Sequence, residues 1–105
     1  MKVITPGHLY ELENFINTTH PGQHLQFIHK ERKGPDHNSP LTTLSDGTTT
    51  EDVLAVLIDR LQFLQSSVPC RENAIVITKL EESLMWLNKR TADRLARQVE
   101  GTNNK

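Results

Sequence analysis

Arginines near the end of the chain are the side chains with the clearest binding chemistry. Trp86, Arg90, Arg94 and Arg97 are separated by four, four and three residues, so a continuous helix places them on one face. A guanidinium is planar and offers paired N–H donors in a fixed fork, which matches the oxygens of a phosphate. Arg90 and Arg94, one helical turn apart, therefore predict a site for two neighbouring phosphates, such as those of a compact diphosphate.

The basic charge of the chain is concentrated around these arginines. Overall, 12 Lys and Arg oppose 13 Asp and Glu, which gives a formal net charge of −1 over 105 residues. Residues 85–105 nevertheless contain five Lys or Arg against two Asp or Glu. The balanced total argues against a coat protein for nucleic acid polymers, which is usually strongly basic. A solvated basic helix end that complements the helix dipole explains the local excess as well as a phosphate site does.

Other chemistry has little support in the sequence. We find no glycine-rich phosphate loop and no nucleophile elbow, and the single cysteine, Cys70, has no second thiolate. His20, His24 and His29 fall across Pro21-Gly22 and a predicted strand, so no regular element brings three imidazoles together. We therefore predict no catalytic residues, no metal and no cofactor. The absence of any run of about 20 apolar residues also predicts no membrane partner.

The first half of the chain has the pattern of short strands. Residues 1–47 alternate between apolar and polar side chains and are interrupted by turn residues such as Pro6-Gly7 and Pro21-Gly22. We predict three strands, the first near residues 9–15, the second from His24 to Lys30 and the third from Leu41 to Leu44, which is rich in threonine. Together they make one small antiparallel sheet that needs a helix or a partner chain to cover it.

The second half has the pattern of two amphipathic helices. Apolar residues recur at steps of three and four, and N-cap chemistry is supplied either by Thr48 with Glu51 or by Thr49 with Asp52. Val68-Pro69 disfavours helical geometry, so the first helix ends near Ser66-Ser67 and the second begins around Arg71. The apolar steps are Val53, Leu57, Leu61 and Leu64 in the first helix, and Ile77, Leu80, Leu84 and Leu87 in the second.

These patterns predict a single α+β domain over residues 1–105. A strand region at 1–47 precedes an antiparallel helical hairpin at 48–98, because two helices joined by a short break usually pack side by side. Residues 99–105 are predicted to form a disordered tail. A domain of this size buries only about two-thirds of its unfolded surface, so self-association would add stability.

The hairpin segment CRENAIVITKLEESLMWLNKRT resembles the hairpin shared by two families of phage immune-evasion proteins. These are the Thoeris anti-defense sponge of the first type and the anti-CBASS sponge of the second type. The segments HLYELENF, GQHLQFIHKE and DGTTTEDVLAVLIDRLQFL resemble the former more closely. The similarity covers most of residues 6–101, and the hairpin motif is its specific part.

The resemblance implies binding without turnover. Such proteins bind cyclic ADP-ribose isomers made by bacterial TIR-domain immune proteins, and some also bind cyclic di- or trinucleotides. Removal of the signal keeps the downstream effector inactive. We therefore expect a non-enzymatic sponge in the host bacterial cytosol, where a lone cysteine stays reduced. A hydrolase of the same signal and a protein-interaction adaptor are the alternatives.

The resemblance also implies a signal pocket, which maps to Phe63, Asn73, Arg90 and Arg94. Phe63 would stack on an adenine, Asn73 would pair with a base edge or a ribose hydroxyl, and the arginines would neutralise phosphates. Phe63 is equally typical of a helix core, since it stands beside apolar neighbours. Local hydrogen bonding at a helix start is the ordinary role of an asparagine such as Asn73.

Three further side chains are weaker candidates. Arg71 and Arg97 are secondary candidates for phosphate contacts, and Arg97 is the candidate for a second pocket that takes cyclic oligonucleotides. Trp86 is flanked by Leu84, Met85 and Leu87 and is expected in a core or an interface rather than on the ligand.

The predicted hairpin is too long to close this pocket within one chain. Phe63 and Asn73 lie near the turn, whereas Arg90 and Arg94 lie about 25–30 Å further along, at about 1.5 Å per residue. Two chains packed antiparallel bring the turn of one subunit beside the helix end of the other. We therefore predict intersubunit sites in a homodimer, with a trimer of dimers as the candidate larger assembly, in agreement with the dimer-based assemblies of the resembled family.

Overall fold

Five short strands followed by two helices make up the computed structural model, which describes residues 1–97. The chain divides into two compact units, with the boundary between Thr49 and Thr50. The predicted α+β class, with antiparallel strands before a helical hairpin, is confirmed. The predicted tail at 99–105 and the last predicted hairpin residue lie outside the described residues. The elements are β1 (Lys2–Thr5), β2 (Leu9–Leu12), β3 (Gln23–Gln26), β4 (His29–Arg32), β5 (Leu41–Ser45), α1 (Thr50–Ser67) and α2 (Arg71–Ala96).

The strand unit contains two small antiparallel sheets, not the single sheet that the sequence predicted. Strands β1, β2 and β3 form one sheet, and β4 and β5 form the other. Strand β1 was not predicted. The predicted strand from His24 to Lys30 is divided between β3 and β4, because Phe27 and Ile28 pair elsewhere. Ile28 N–H donates to the Thr48 carbonyl at 2.9 Å, and Thr48 N–H donates to the Gln26 carbonyl at 2.8 Å.

Glycine is needed in this unit at a turn, as Gly7 shows, and where two backbone segments approach closely, as Gly47 shows. Gly7 has φ 80°, a left-handed conformation that glycine adopts without steric cost, and His8 N–H closes the turn on the Thr5 carbonyl at 3.0 Å. Gly47 lies where residue 48 pairs with residues 26–28. A Cβ at this position would collide with the Gln26 carbonyl oxygen and would lie 2.7 Å from the carbonyl carbon of Phe27.

Replacement of Gly47 by alanine is therefore expected to destabilise the strand unit by about 1–3 kcal/mol, since backbone atoms must shift to make room. Gly34→Ala is the matched control, because its Cβ would meet only the Ser39 side chain. We expect a smaller loss of stability for the control, because only the Ser39 hydroxyl, which accepts from Asp36 N–H at 3.2 Å, has to rotate away. Urea denaturation of the two variants measures both values, and equal stabilities would contradict the close approach at Gly47.

Helices α1 and α2 pack against each other and are joined by residues 68–70. Helix α1 ends at Ser67, immediately before Val68-Pro69, as the sequence predicted. The Gln65 side chain closes the turn, because its Nε2 donates to the Cys70 carbonyl at 2.7 Å and its Oε1 accepts from Cys70 N–H at 3.0 Å. Cys70 is the N-cap of α2, where its Sγ accepts from Asn73 N–H at 3.4 Å. The turn end of the hairpin is thus well defined.

The hairpin leaves much of its apolar surface in contact with water. The half-buried residues of α2 recur at steps of three and four, and the rest of this helix is exposed. Among residues 1–97 no side chain is fully buried. Several large apolar side chains of the helices are 55–66% exposed, namely Val56, Phe63, Met85, Trp86 and Leu95. Leu57, predicted in the apolar stripe of α1, is also exposed, at 44%. Neither helix combines the length and the apolar character that a bilayer span needs.

Candidate functional site

The end of α2 and the first turn of α1 form the basic end of the hairpin. Arg90 is 51% exposed, and its Nη2 lies 4.0 Å from Oε1 of Glu51, in the first turn of α1. Arg94 is half-buried in the last turn of α2. It continues the half-buried positions of α2 that include Leu87 and Thr91. The antiparallel hairpin therefore brings Arg90 close to the N-terminus of α1, where the helix dipole also favours anions.

A recess of about 220 Å³ lies along this part of α2. Four residues were predicted to share one face of α2, and three of them line this recess. The fourth, Arg94, does not line it. Successive steps of four rotate Arg94 further round the helix than Trp86 and Arg90, which explains the difference. The lining residues are Trp86, Lys89, Arg90, Asp93 and Arg97.

Asp93 neutralises one of the cations in this recess. Lys89 Nζ lies 2.9 Å from Asp93 Oδ2, and Arg97 Nε donates to the Asp93 backbone carbonyl at 3.3 Å. The hydrogen bond and the positive charge of Lys89 hold the pKa of Asp93 below its ordinary value, and the charge of Arg97 acts in the same direction. Arg90 has a looser partner than Lys89 has, because 4.0 Å exceeds hydrogen-bond length.

Phe63 and Asn73 flank the opposite end of the hairpin. Phe63 is 66% exposed, so within this chain it is not a core residue. Asn73 is half-buried, and its backbone N–H, rather than its side chain, makes the local bond to Cys70. Within the part of the chain that is described, the Asn73 side-chain amide has no hydrogen-bond partner. Both side chains are therefore available to a ligand or to another subunit.

One hairpin keeps these two pairs of residues apart. Asn73 and Arg90 lie on the same continuous helix and are separated by 17 positions, which corresponds to about 25 Å. A cyclic dinucleotide-sized ligand cannot span that distance. The four predicted pocket residues can meet around one small molecule only if a second chain supplies one of the two pairs.

A second recess, of about 420 Å³, lies on α2 nearer the turn. Arg71 and Lys79 stand at its two ends, with Ala74, Ile75 and Thr78 between them. The lining is mostly apolar, so this surface suits packing at least as well as phosphate binding. Across residues 1–97, no three His, Cys, Asp or Glu side chains converge as metal ligands would.

Sequence reasoning missed Glu51 as a neighbour of Arg90. It treated Glu51 only as a helix-capping residue, whereas α1 begins at Thr50 and Glu51 is its second residue. The predicted antiparallel hairpin could have indicated this contact, because it must bring the first turn of α1 to the end of α2. Residue spacing within one helix does not contain that information.

Fold and site together define an α+β protein whose C-terminal helical hairpin carries an exposed basic end. Comparison with known protein families makes the class specific. The family described as Acb2/Tad1, hairpin domain, matches residues 26–92. This range includes all of α1 and α2 as far as residue 92, with Arg90 inside it and Arg94 beyond it. The chain belongs to this family.

A curated relative supports the same assignment. The chain is similar to Thoeris anti-defense 1 of Bacillus phage SBSphiJ7, with 60% identity over 62 residues. The matched segment is 58% of this chain and 44% of that protein, so the chain matches less than half of the relative's length.

Proposed function

We propose that this protein binds and sequesters cyclic nucleotide immune signals, above all cyclic ADP-ribose isomers, and so blocks bacterial defence against phage. The arginine pair at the basic end of a hairpin that belongs to the Acb2/Tad1 family carries the proposal. The name of the relative, Thoeris anti-defense 1, supports the anti-defence role. The protein would act in the cytosol of the host bacterium.

Charge matching accounts for the choice of ligand. The two phosphates inside a cyclic ADP-ribose ring each hold one negative charge near neutral pH, and Arg90 and Arg94 supply two positive charges. Arginine forks give short, charge-assisted hydrogen bonds to phosphate oxygens. Phe63 would cover the adenine by stacking, and the unpartnered amide of Asn73 would read a base edge or a ribose hydroxyl.

Homo-oligomerisation would complete the pocket. The large apolar side chains exposed on both helices need cover, and a second copy packed antiparallel would bury them while it brings Phe63 and Asn73 to the partner's arginines. Burial of the site would also exclude water and strengthen the arginine–phosphate contacts. A dimer is the smallest such assembly, and a trimer of dimers is the larger candidate.

Arg71 and Arg97 are proposed only as secondary phosphate contacts. Arg97 lies in the same recess as Arg90, and Arg71 lies in the other recess. Cyclic di- and trinucleotides are the proposed ligands for such a second site, since they too are rings that carry several single negative charges.

Sequestration predicts that the ligand is returned unchanged. After incubation overnight with a stoichiometric amount of a cyclic ADP-ribose isomer and then heat denaturation, we expect chromatography to recover the intact ring. Recovery of linear ADP-ribose instead would indicate the alternative, a hydrolase. The Arg90→Ala, Arg94→Ala double variant is the control, because any hydrolysis that remains in it comes from a contaminant or from the solvent.

Ligand-induced stabilisation separates the sponge from the other alternative, a protein-interaction adaptor. A ligand present at 1,000 times its Kd stabilises the folded protein by about 4 kcal/mol. We expect a clear rise in Tm with at least one cyclic ADP-ribose isomer. An adaptor that acts through its exposed apolar helices predicts no change in Tm with any member of a panel of cyclic nucleotides.

A further inference from the structure

We infer that Glu51 is a specificity-determining residue of the arginine site, which discriminates against ligands with a terminal phosphate. The inference rests on the proposed function and deepens it. Its basis is the position of the Glu51 carboxylate 4.0 Å from Arg90 Nη2, beside the N–H donors that a bound phosphate would use.

The geometry puts Glu51 within reach of the ligand. Its side chain is 27% exposed, and that of Arg90 is 51% exposed, so the pair is neither sealed in the interior nor fully solvated. Arg90 Nη2 is too far from Oε1 for a good hydrogen bond, which leaves its N–H donors available. A phosphate that binds these donors lies within several ångströms of the Glu51 carboxylate, and two negative charges at that separation repel.

The charges of the other groups do not cancel this repulsion. Lys89 is already paired with Asp93 at 2.9 Å, whereas Arg90 has only its looser contact with Glu51 at 4.0 Å. Arg94 and Arg97 are the other cations of this part of α2 among the described residues. Arg97 Nε is engaged with the Asp93 carbonyl. Because that carbonyl is neutral, Arg97 keeps its positive charge, so the charge available to a ligand is that of the three arginines, which Glu51 partly offsets.

Terminal and internal phosphates differ in charge, and Glu51 acts on this difference. Each phosphate inside a ring is esterified or anhydride-linked on two sides and carries one negative charge. The terminal phosphate of a nucleotide such as ADP has a second ionisation near pH 6, so at neutral pH it carries almost two. Glu51 therefore penalises ADP more than a cyclic ADP-ribose isomer, and it lets the site reject ordinary nucleoside di- and triphosphates.

A purely structural role for Glu51 has the opposite signature. As the second residue of α1, a glutamate also complements the helix dipole, and a partly exposed ion pair adds little to stability. If Glu51 served only to order Arg90 or α1, its replacement would weaken the binding of every phosphate ligand. A specificity role requires that replacement strengthens the binding of ADP.

The test uses Glu51→Gln in the full chain, with ADP and cyclic ADP-ribose isomers as probes in calorimetric titrations at about 0.05 M and 0.5 M salt. We expect ADP affinity to rise about tenfold at low salt, cyclic ADP-ribose affinity to rise no more than about threefold, and the gain for ADP to shrink at high salt. Glu51→Asp keeps the charge and should keep the discrimination. Glu81→Gln is the matched control, since Glu81 is exposed on α2 about 14 Å along the helix from Arg90, and it should change neither affinity.

Each arm of this experiment reports on one hypothesis. Equal gains for both ligands, or a loss for ADP in a variant whose circular dichroism and Tm are those of the unaltered protein, would overturn the role of Glu51. Failure of the unaltered protein to bind any cyclic ADP-ribose isomer would overturn the proposed function instead. In that case the ADP titration still tests Glu51. If Glu51 opposes phosphate binding at Arg90, Glu51→Gln gains about tenfold in ADP affinity, and the double variant Glu51→Gln, Arg90→Ala does not show this gain.

Discussion

Replacement of Arg90 and Arg94 together by alanine is expected to weaken the binding of cyclic ADP-ribose isomers by at least about a hundredfold. A hydrogen bond to a charged group contributes about 1.5–3 kcal/mol, so the loss of one such bond from each arginine costs about 3–6 kcal/mol. Since about 1.4 kcal/mol corresponds to a factor of ten, the expected loss is about 10²- to 10⁴-fold. Isothermal titration calorimetry measures it directly.

Two control variants separate this effect from general loss of charge. Arg60→Ala with Lys2→Ala removes the same charge from exposed positions that line neither recess and should leave the Kd within about threefold, as expected for surface charges outside the binding site. Arg90→Lys with Arg94→Lys keeps both charges but removes the planar forks, and it should lose affinity to an intermediate degree. Binding of the alanine variant at the affinity of the unaltered protein would remove the basis of the proposed function.

The helical hairpin was the part of the fold that could be predicted from the sequence. The spacing of Ile77, Leu80, Leu84 and Leu87 and the Val68-Pro69 break are local signals, and local signals determine where helices run and where they end. The same steps of three and four were enough to predict which residues of α2 face α1. Phe63 illustrates the limit, because its burial depends on which face of α1 meets α2, and its 66% exposure rules out the alternative of a core residue within one chain.

The strand unit was harder to predict, because its pairing depends on residues far apart in sequence. Strand β1 has only four residues, and three of them are β-branched, so the signal existed but was short. The division at Phe27 and Ile28 depends on hydrogen bonds to Thr48, about 20 positions away along the chain. No apolar–polar alternation within residues 24–30 could indicate that break, which explains why two sheets were mistaken for one.

The candidate site shows the same division between local and long-range information. The spacing of Arg90 and Arg94 and the basic composition around them are local, and they were sufficient to indicate phosphate chemistry. The contact between Glu51 and Arg90 joins residues 39 positions apart, and it follows only from the way that α1 and α2 are paired. The roles of Phe63 and Asn73 came from resemblance to a family, and they stay predictions until a ligand is bound.

Complementation between two inactive variants is the second large effect that we expect. Phe63→Ala with Asn73→Ala removes the turn half of the pocket, and Arg90→Ala with Arg94→Ala removes the arginine half. If each site takes one half from each of two subunits, every site in either pure variant is defective. A mixed dimer instead contains one site with both halves intact and one site with both halves missing.

Random exchange of subunits in an equimolar mixture makes half of the dimers mixed, so about a quarter of all sites should regain the affinity of the unaltered protein. Titration of the mixture with a cyclic ADP-ribose isomer, after denaturation and refolding together, should therefore give a stoichiometry of about one quarter. The two variants refolded separately and then mixed are the control, because slow exchange should leave them inactive at first. A mixture that stays inactive although the subunits have exchanged would place all four residues around a ligand within a single chain, which a helix with Asn73 and Arg90 about 25 Å apart does not allow. An inactive mixture would therefore contradict the pocket shared between subunits, whereas full binding by the pure Phe63→Ala, Asn73→Ala variant would remove these two residues from the pocket and leave the arginine end as the whole site.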